Sequence, residues 1–132
     1  MTDTATMLNS HPSPAAHVDK LAACVDACRA CLVTCTSCAD ACIGGDDPKA
    51  MAECIRTDLD CADICAATIS VLTRQTKPNT SILKAQVQAM VAACKACGDS
   101  CLSHADMHEH CKLCGETCRD CERTCNDLLS SL

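Results

Sequence analysis

The sequence predicts an all-α fold, an antiparallel up-down-up-down four-helix bundle with a cysteine-lined core. Three observations lead there. The chain of 132 residues carries 17 cysteines and no Phe, Trp or Tyr, which excludes an ordinary aromatic-packed interior. Breaks rich in proline, glycine and capping residues divide it into four segments of similar length. Within each segment one uninterrupted 3,4 spacing, the a/d pattern that faces the centre of a bundle, takes up every cysteine.

Residues 1–14 hold Thr, Ser, Asn and two prolines and read as a flexible N-terminal tail, leaving 15–132 as the bundle domain. The first helix is expected over about 16–43. It stops at Gly44-Gly45-Asp46-Asp47-Pro48, where glycine suits a C-cap, Asp the next N-cap and Pro the first helical position. The second helix runs over about 48–75, and Lys77-Pro78-Asn79-Thr80 repeats the stop-and-start signal before a third over about 80–105. The last break is expected near Ser103–Met107, with Asp106 and Glu109 as a capping box for a fourth helix over about 107–130. Each segment would span about 36–42 Å as helix, and short loops between long helices favour antiparallel neighbours.

The seams are explicit. The first reads Leu21, Cys24, Cys28, Cys31, Cys35, Cys38, Cys42, and the second Met51, Cys54, Asp58, Cys61, Cys65, Thr68, Leu72. The third reads Leu83, Val87, Met90, Cys94, Cys97, Cys101, His104, and the fourth Cys111, Cys114, Cys118, Cys121, Cys125, Leu128, Leu132. Packing alone does not explain this choice, because small thiols fill space worse than Leu and leave voids.

The N-terminal stretch MTDTATMLNSHPSPAAHV has no basic n-region and no apolar h-region, so a cytoplasmic location with reduced thiols is expected. An odd number of cysteines cannot pair completely within one chain. No run approaches the ~18 apolar residues of a membrane span. The net charge is −6, and the basic residues are scattered from Lys20 and Arg29 to Arg119 and Arg123. Without a basic patch, neither nucleic acid nor an anionic membrane is an expected partner.

Metal binding is the remaining explanation for the thiols. The C-x-x-C pairs Cys28/Cys31, Cys35/Cys38, Cys94/Cys97, Cys111/Cys114 and Cys118/Cys121 match zinc and redox patterns, but each follows trivially from a heptad seam. Zinc takes closed sets of four ligands, into which seventeen thiols along a tube do not divide. Thioredoxin-type chemistry wants an exposed, acidic thiol at a helix N-terminus. Cu(I) is soft, prefers thiolate and tolerates low coordination numbers. Cysteines at i,i+3 and i,i+4 share a helix face, so bridging thiolates give a capacity on the order of 15–20 ions. All seventeen cysteines, from Cys24 to Cys125, are therefore expected as Cu(I) ligands, with no catalytic residue.

The array C-x3-C-x2-C-x3-C-x2-C-x3-C on the first helix and C-x2-C-x3-C-x2-C-x3-C on the last resembles the bacterial copper storage proteins over about residues 16–130. The resemblance implies a four-helix bundle whose cysteine-lined core holds many Cu(I) ions, assembled as a homotetramer. The absence of a signal-like N-terminus makes the chain similar to the cytosolic branch. Asp58 and Thr68 interrupt the thiol series on the second helix.

An antiparallel arrangement makes the ends differ. One gathers Leu21, Thr68, Leu72, Leu83, Val87, Leu128 and Leu132 as an apolar plug. The other gathers Cys42, Met51, Cys54, Asp58, His104, His108, His110 and Cys111, where weaker donors suit a mouth that passes copper inward. The His-bearing end is also the entrance the resemblance implies, with a copper chaperone as a candidate donor. Met51, Asp58, His104, His108 and His110 thus join the candidate ligands. Asp58, a carboxylate in a seam, needs a partner, either copper or a mouth histidine. His11 and His17 have no assigned role. Ile55, Leu59, Ala62, Ala66 and Ile69 form a second stripe that suggests a subunit interface. Two other roles remain open from sequence: a copper-responsive regulator, which would need few sites and a basic face, and an iron–sulfur or thiol-redox protein.

Overall fold

The structure, a computed structural model, describes residues 2–132; Met1 of the expected tail lies outside the described residues. Four long helices, α2 (Val18–Ile43), α3 (Ala52–Leu72), α4 (Thr80–Leu102) and α5 (Glu109–Leu129), follow a short α1 (Thr4–Asn9). A 3-10 turn, Pro48–Met51, leads into α3. All regular structure among the described residues is helical. The long helices form a square in which α2 packs on α3 and α5, and α4 packs on α3 and α5. The thiols fill the space between the diagonals.

The loop signals act largely as their residue types dictate. The Asp47 carboxylate accepts from the Ala50 amide at 3.2 Å, and Asn79 Oδ1 accepts from the Ile82 amide at 3.1 Å. Lys77, with φ 49°, takes the left-handed step that reverses the chain ahead of Pro78. Gly44 caps α2 in a right-handed conformation, so its backbone does not require glycine. The Asp106–Glu109 capping box does not form. The turn runs on to His108, the N-cap of α5, whose side chain makes no capping bond.

Residues 2–14 differ from the expected flexible tail. The Asp3 carboxylate accepts from the Thr6 amide at 2.9 Å and starts α1, and Leu8 is buried. Gln75 secures the segment by donating to the Leu8 carbonyl and accepting from the Ala15 amide. The sequence signal was faint, because one leucine supplies the buried contact of a helix of only six residues.

The membrane expectation also needs correction. By length and composition α2 is apolar enough to cross a membrane, because cysteine and alanine count as apolar. Its cysteines are instead buried among the other helices, the position of a core helix. The second stripe is partly absorbed too. Ala62 is buried, Ile55 and Ile69 are half-buried against the core, and Leu59 stays exposed.

At one place α5 packs closely on a side chain of α4. A Cβ on Gly115 would lie 2.5 Å from Leu102 Cγ, so any larger residue requires the Leu102 side chain to shift. Beside it, Gly98 makes room for the Arg119 guanidinium, which pairs with Asp99 across the two helices.

Candidate metal centre

All seventeen cysteines are free and buried. One seam per helix carries them inward, and the antiparallel pairing stacks them in layers. At the closed end Cys24 and Cys125 have their sulfurs 3.2 Å apart, and Cys28 and Cys121 follow at 3.9 Å. In the middle Cys31 meets Cys61 at 3.6 Å and Cys118 at 3.8 Å, while Cys35 meets Cys97 at 3.8 Å and Cys114 at 3.7 Å. Toward the mouth Cys54 and Cys101 are 3.4 Å apart.

These contacts build sets of four donors within 4.8 Å of one another: Cys31, Cys35, Cys61, Cys118; then Cys35, Cys97, Cys114, Cys118; then Asp58, Cys97, Cys101, Cys114; then Cys38, Cys54, Asp58, Cys101; and Cys38, Cys42, Cys54, Cys111. Successive sets share members. A ligand that belongs to two sets is a bridging ligand, which suits soft, low-coordinate Cu(I) clusters better than closed mononuclear zinc.

Asp58 sits one layer below the rim. Its Oδ1 accepts from the thiols of Cys97 (2.9 Å), Cys101 (3.3 Å) and Cys114 (3.3 Å). Its partners are thus thiols, not the mouth histidine considered from sequence. Oδ2 is buried without a hydrogen-bond partner. Burial first, then the hydrogen bond and charge that Cys97 brings and the charge that Cys114 brings as thiolates, push this carboxyl up to about 10, so it holds a proton at neutral pH. Burial, then the charge of Cys54, also raises the Cys42 thiol, and burial with the charges of Cys42 and Cys54 lifts Cys111 to about 12. Hydrogen bonding lowers other thiols, such as Cys54 and Cys97. The array is therefore split into raised and lowered thiols, and a bound cation must displace the protons that the raised groups hold.

The mouth residues divide. His110 Nδ1 lies 3.5 Å from the Cys38 sulfur and 3.6 Å from that of Cys111, and the His108 ring stacks on His110 at 5.1 Å. Met51 is buried in the same core cluster. His104 was expected to continue the α4 seam, but the helix ends at Leu102 and the ring lies in the following turn. There its Nδ1 is 2.9 Å from the Ser100 carbonyl, which can only accept, leaving Nε2 with its lone pair. It lines an open groove between α3 and α4 together with Glu53, Cys54, Thr57 and Ser100. His11 and His17 stand at the other end, His11 against Thr76 and His17 at the start of α2.

The closed end is as apolar as the seams imply, with Leu21, Leu72, Val87 and Leu128 buried and Leu83 and Leu132 half-buried. Thr68 is fully buried there, donating to the Ile64 carbonyl and accepting from Gln86 Nε2. Sequence gave no sign of Gln86, which lies beside the seam and reaches Thr68 from the neighbouring helix.

A family model described as copper storage protein matches residues 17–130. Among solved structures, the copper storage protein Ccsp from Streptomyces lividans loaded with 10 copper equivalents is 42% identical with a TM-score of 0.95, covering 98% of this chain and 99% of that one. A structure of a cytosolic copper storage protein from Streptomyces lividans carrying five coppers is 46% identical with a TM-score of 0.85, covering 86% of this chain and 95% of that one. An uncharacterized cysteine-rich protein of Bacillus subtilis (strain 168) is 31% identical over 78 residues, 59% of this chain and 67% of that protein.

Proposed function

The chain belongs to the copper storage protein family, and on that premise we propose that it sequesters many Cu(I) ions through its core thiolates in the cytosol and performs no catalysis. The observation that carries this function is the series of overlapping four-donor sets running along the bundle axis. Copper is the cargo. Each ion displaces thiol protons, and bridging keeps the growing cluster from accumulating the negative charge that two unshared thiolates per ion would bring.

All seventeen cysteines serve as ligands in this account. His110, placed between Cys38 and Cys111, and His108 stacked on it, meet the incoming ion with exchangeable imidazole nitrogens. His104 offers its free Nε2 at the groove that leads to Cys54. Met51 adds a thioether at the same end. Asp58 takes copper next, its unpartnered Oδ2 and three thiol neighbours forming a ready site once the proton leaves. A Streptomyces lividans variant with two histidines, four positions apart, replaced by alanine covers 86% of this chain at 45% identity; His104 and His108 have the same spacing.

A cytosolic site of action is supported by the Streptomyces lividans protein described as cytosolic. Assembly as a homotetramer has the exposed Leu59 and the half-buried Ile55 and Ile69 on one face of α3 in its favour. Delivery by a copper chaperone suits a mouth of exchangeable ligands. Neither a regulator nor an iron–sulfur role gains an observation, since the basic residues are scattered along the sequence and the thiol sets interlock.

An anaerobic Cu(I) titration against a chromogenic chelator, with native mass spectrometry to count ions, tests the storage role. Saturation on the order of 15–20 ions per chain is expected. Saturation at only one to four would overturn it.

A further inference from the structure

Among the described residues one buried soft donor lies outside the cysteine and mouth sets. Met90 is fully buried within the same core cluster as the thiols. On α4 it stands four residues before Cys94, whose thiol neighbours are Cys31, Cys61 and Cys121. At about 1.5 Å per residue, Met90 therefore sits about 6 Å closer to the closed end than Cys94. On α2, which runs parallel to α4, Cys28 sits about 4.5 Å below Cys31 by the same rise. Cys28 is 3.9 Å from Cys121 and has Cys65 as a further thiol neighbour. The register thus places three cysteines and one methionine at the four corners of a single layer.

We propose that the Met90 thioether is a Cu(I) ligand that completes this layer with Cys28, Cys65 and Cys121; the inference rests on the storage role above. Two physical facts favour a thioether here. Thioether and thiolate are both soft donors for Cu(I). This layer is also among the farthest from the mouth, and a fourth thiolate would add negative charge where water cannot compensate it. A neutral sulfur adds ligation without charge. Toward the closed end the opportunity disappears: Val87 is buried hydrocarbon, and Thr68 has its hydroxyl engaged by Ile64 and Gln86. Met90 is the last side chain on α4 able to bind soft metal before the apolar plug.

The full-length protein, labelled with selenomethionine and loaded anaerobically to saturation with Cu(I), provides the test. Met51→Leu/Met107→Leu is used as background so that the thioethers at the mouth contribute no signal. Selenium-edge absorption fine structure should then show a copper scatterer bonded to selenium, and that scatterer should vanish when Met90→Leu is added. Native mass spectrometry should count one copper fewer per chain once Met90→Leu is added to that background. Leu conserves volume at a core position, so the variant should fold. Copper-free melting of both variants checks that. A full copper count with no copper at selenium, or a selenium–copper signal that survives Met90→Leu, overturns the inference alone. Saturation of the parent chain at one to four ions overturns the storage role and this ligand with it.

Discussion

Replacing Asp58 by Asn should change how the stability of the copper-free protein depends on pH. In the unfolded chain this carboxyl titrates near its ordinary 3.8, and in the fold burial and the surrounding thiols hold it up at about 10. Between those values the folded chain binds one proton more than the unfolded chain, so stability falls as pH rises. One proton of difference gives a slope of about 1.4 kcal/mol per pH unit, or about 3 kcal/mol between about pH 4.5 and pH 7. Asn keeps an oxygen for the thiols of Cys97, Cys101 and Cys114, yet does not titrate. Urea unfolding of the reduced, metal-free protein across that window gives the stability of parent and variant at each pH. The variant should gain on the parent by the stated slope, whatever fixed offset the amide brings. Cys97, Cys101 and Cys114 are present in both proteins, so the difference between the two curves reports the group at position 58. Parallel curves would refute the assignment of a proton to the buried carboxyl.

Further outcomes follow from the same geometry. Combined His104→Ala, His108→Ala and His110→Ala should slow stopped-flow Cu(I) loading several-fold while native mass spectrometry finds nearly the parent count; an unchanged rate would remove these side chains from the entrance. Loading through protonated thiols should release about one proton per copper, and the apparent affinity per ion should fall about tenfold for each unit of acidification below neutrality. A pH-indicator titration and chelator competition at two pH values measure both. Gly115→Ala should destabilise the metal-free protein by about 1–3 kcal/mol in urea unfolding, because the new methyl would overlap Leu102, and Leu102→Ala should recover part of that loss.

The long helices and their inward faces were legible because a 3,4 seam records helix and burial together, and cysteine marked the seam without ambiguity. Asp58 was legible as an anomaly but not as a proton carrier, since its partners come from α4 and α5, far away in sequence. The start of α5 was misjudged because Asp106 and Glu109 have the spacing of a capping box, while the chain continues in turns until His108. His104 escaped for a related reason. A heptad extrapolated past Leu102 assigns it to the core, whereas Ser100, four residues earlier, holds its ring in the turn. α1 escaped because its order depends on Gln75, contributed by the distant α3–α4 connection.

The middle thiol layer has a mechanical consequence. Cys31, Cys61 and Cys118 belong to three different helices and lie 30 and 87 residues apart along the chain. An ion shared among them is a cross-link that closes long loops, as a disulfide does, and it would restrict the unfolded chain in the same sense. Unlike a disulfide, it comes apart when a competing ligand removes the metal. The loaded protein would thus be a stapled molecule, in which the helices cannot separate until the copper has left. Its lifetime against heat or proteolysis would follow the copper content of the cell, and each molecule that empties would revert to an ordinary, marginally stable bundle.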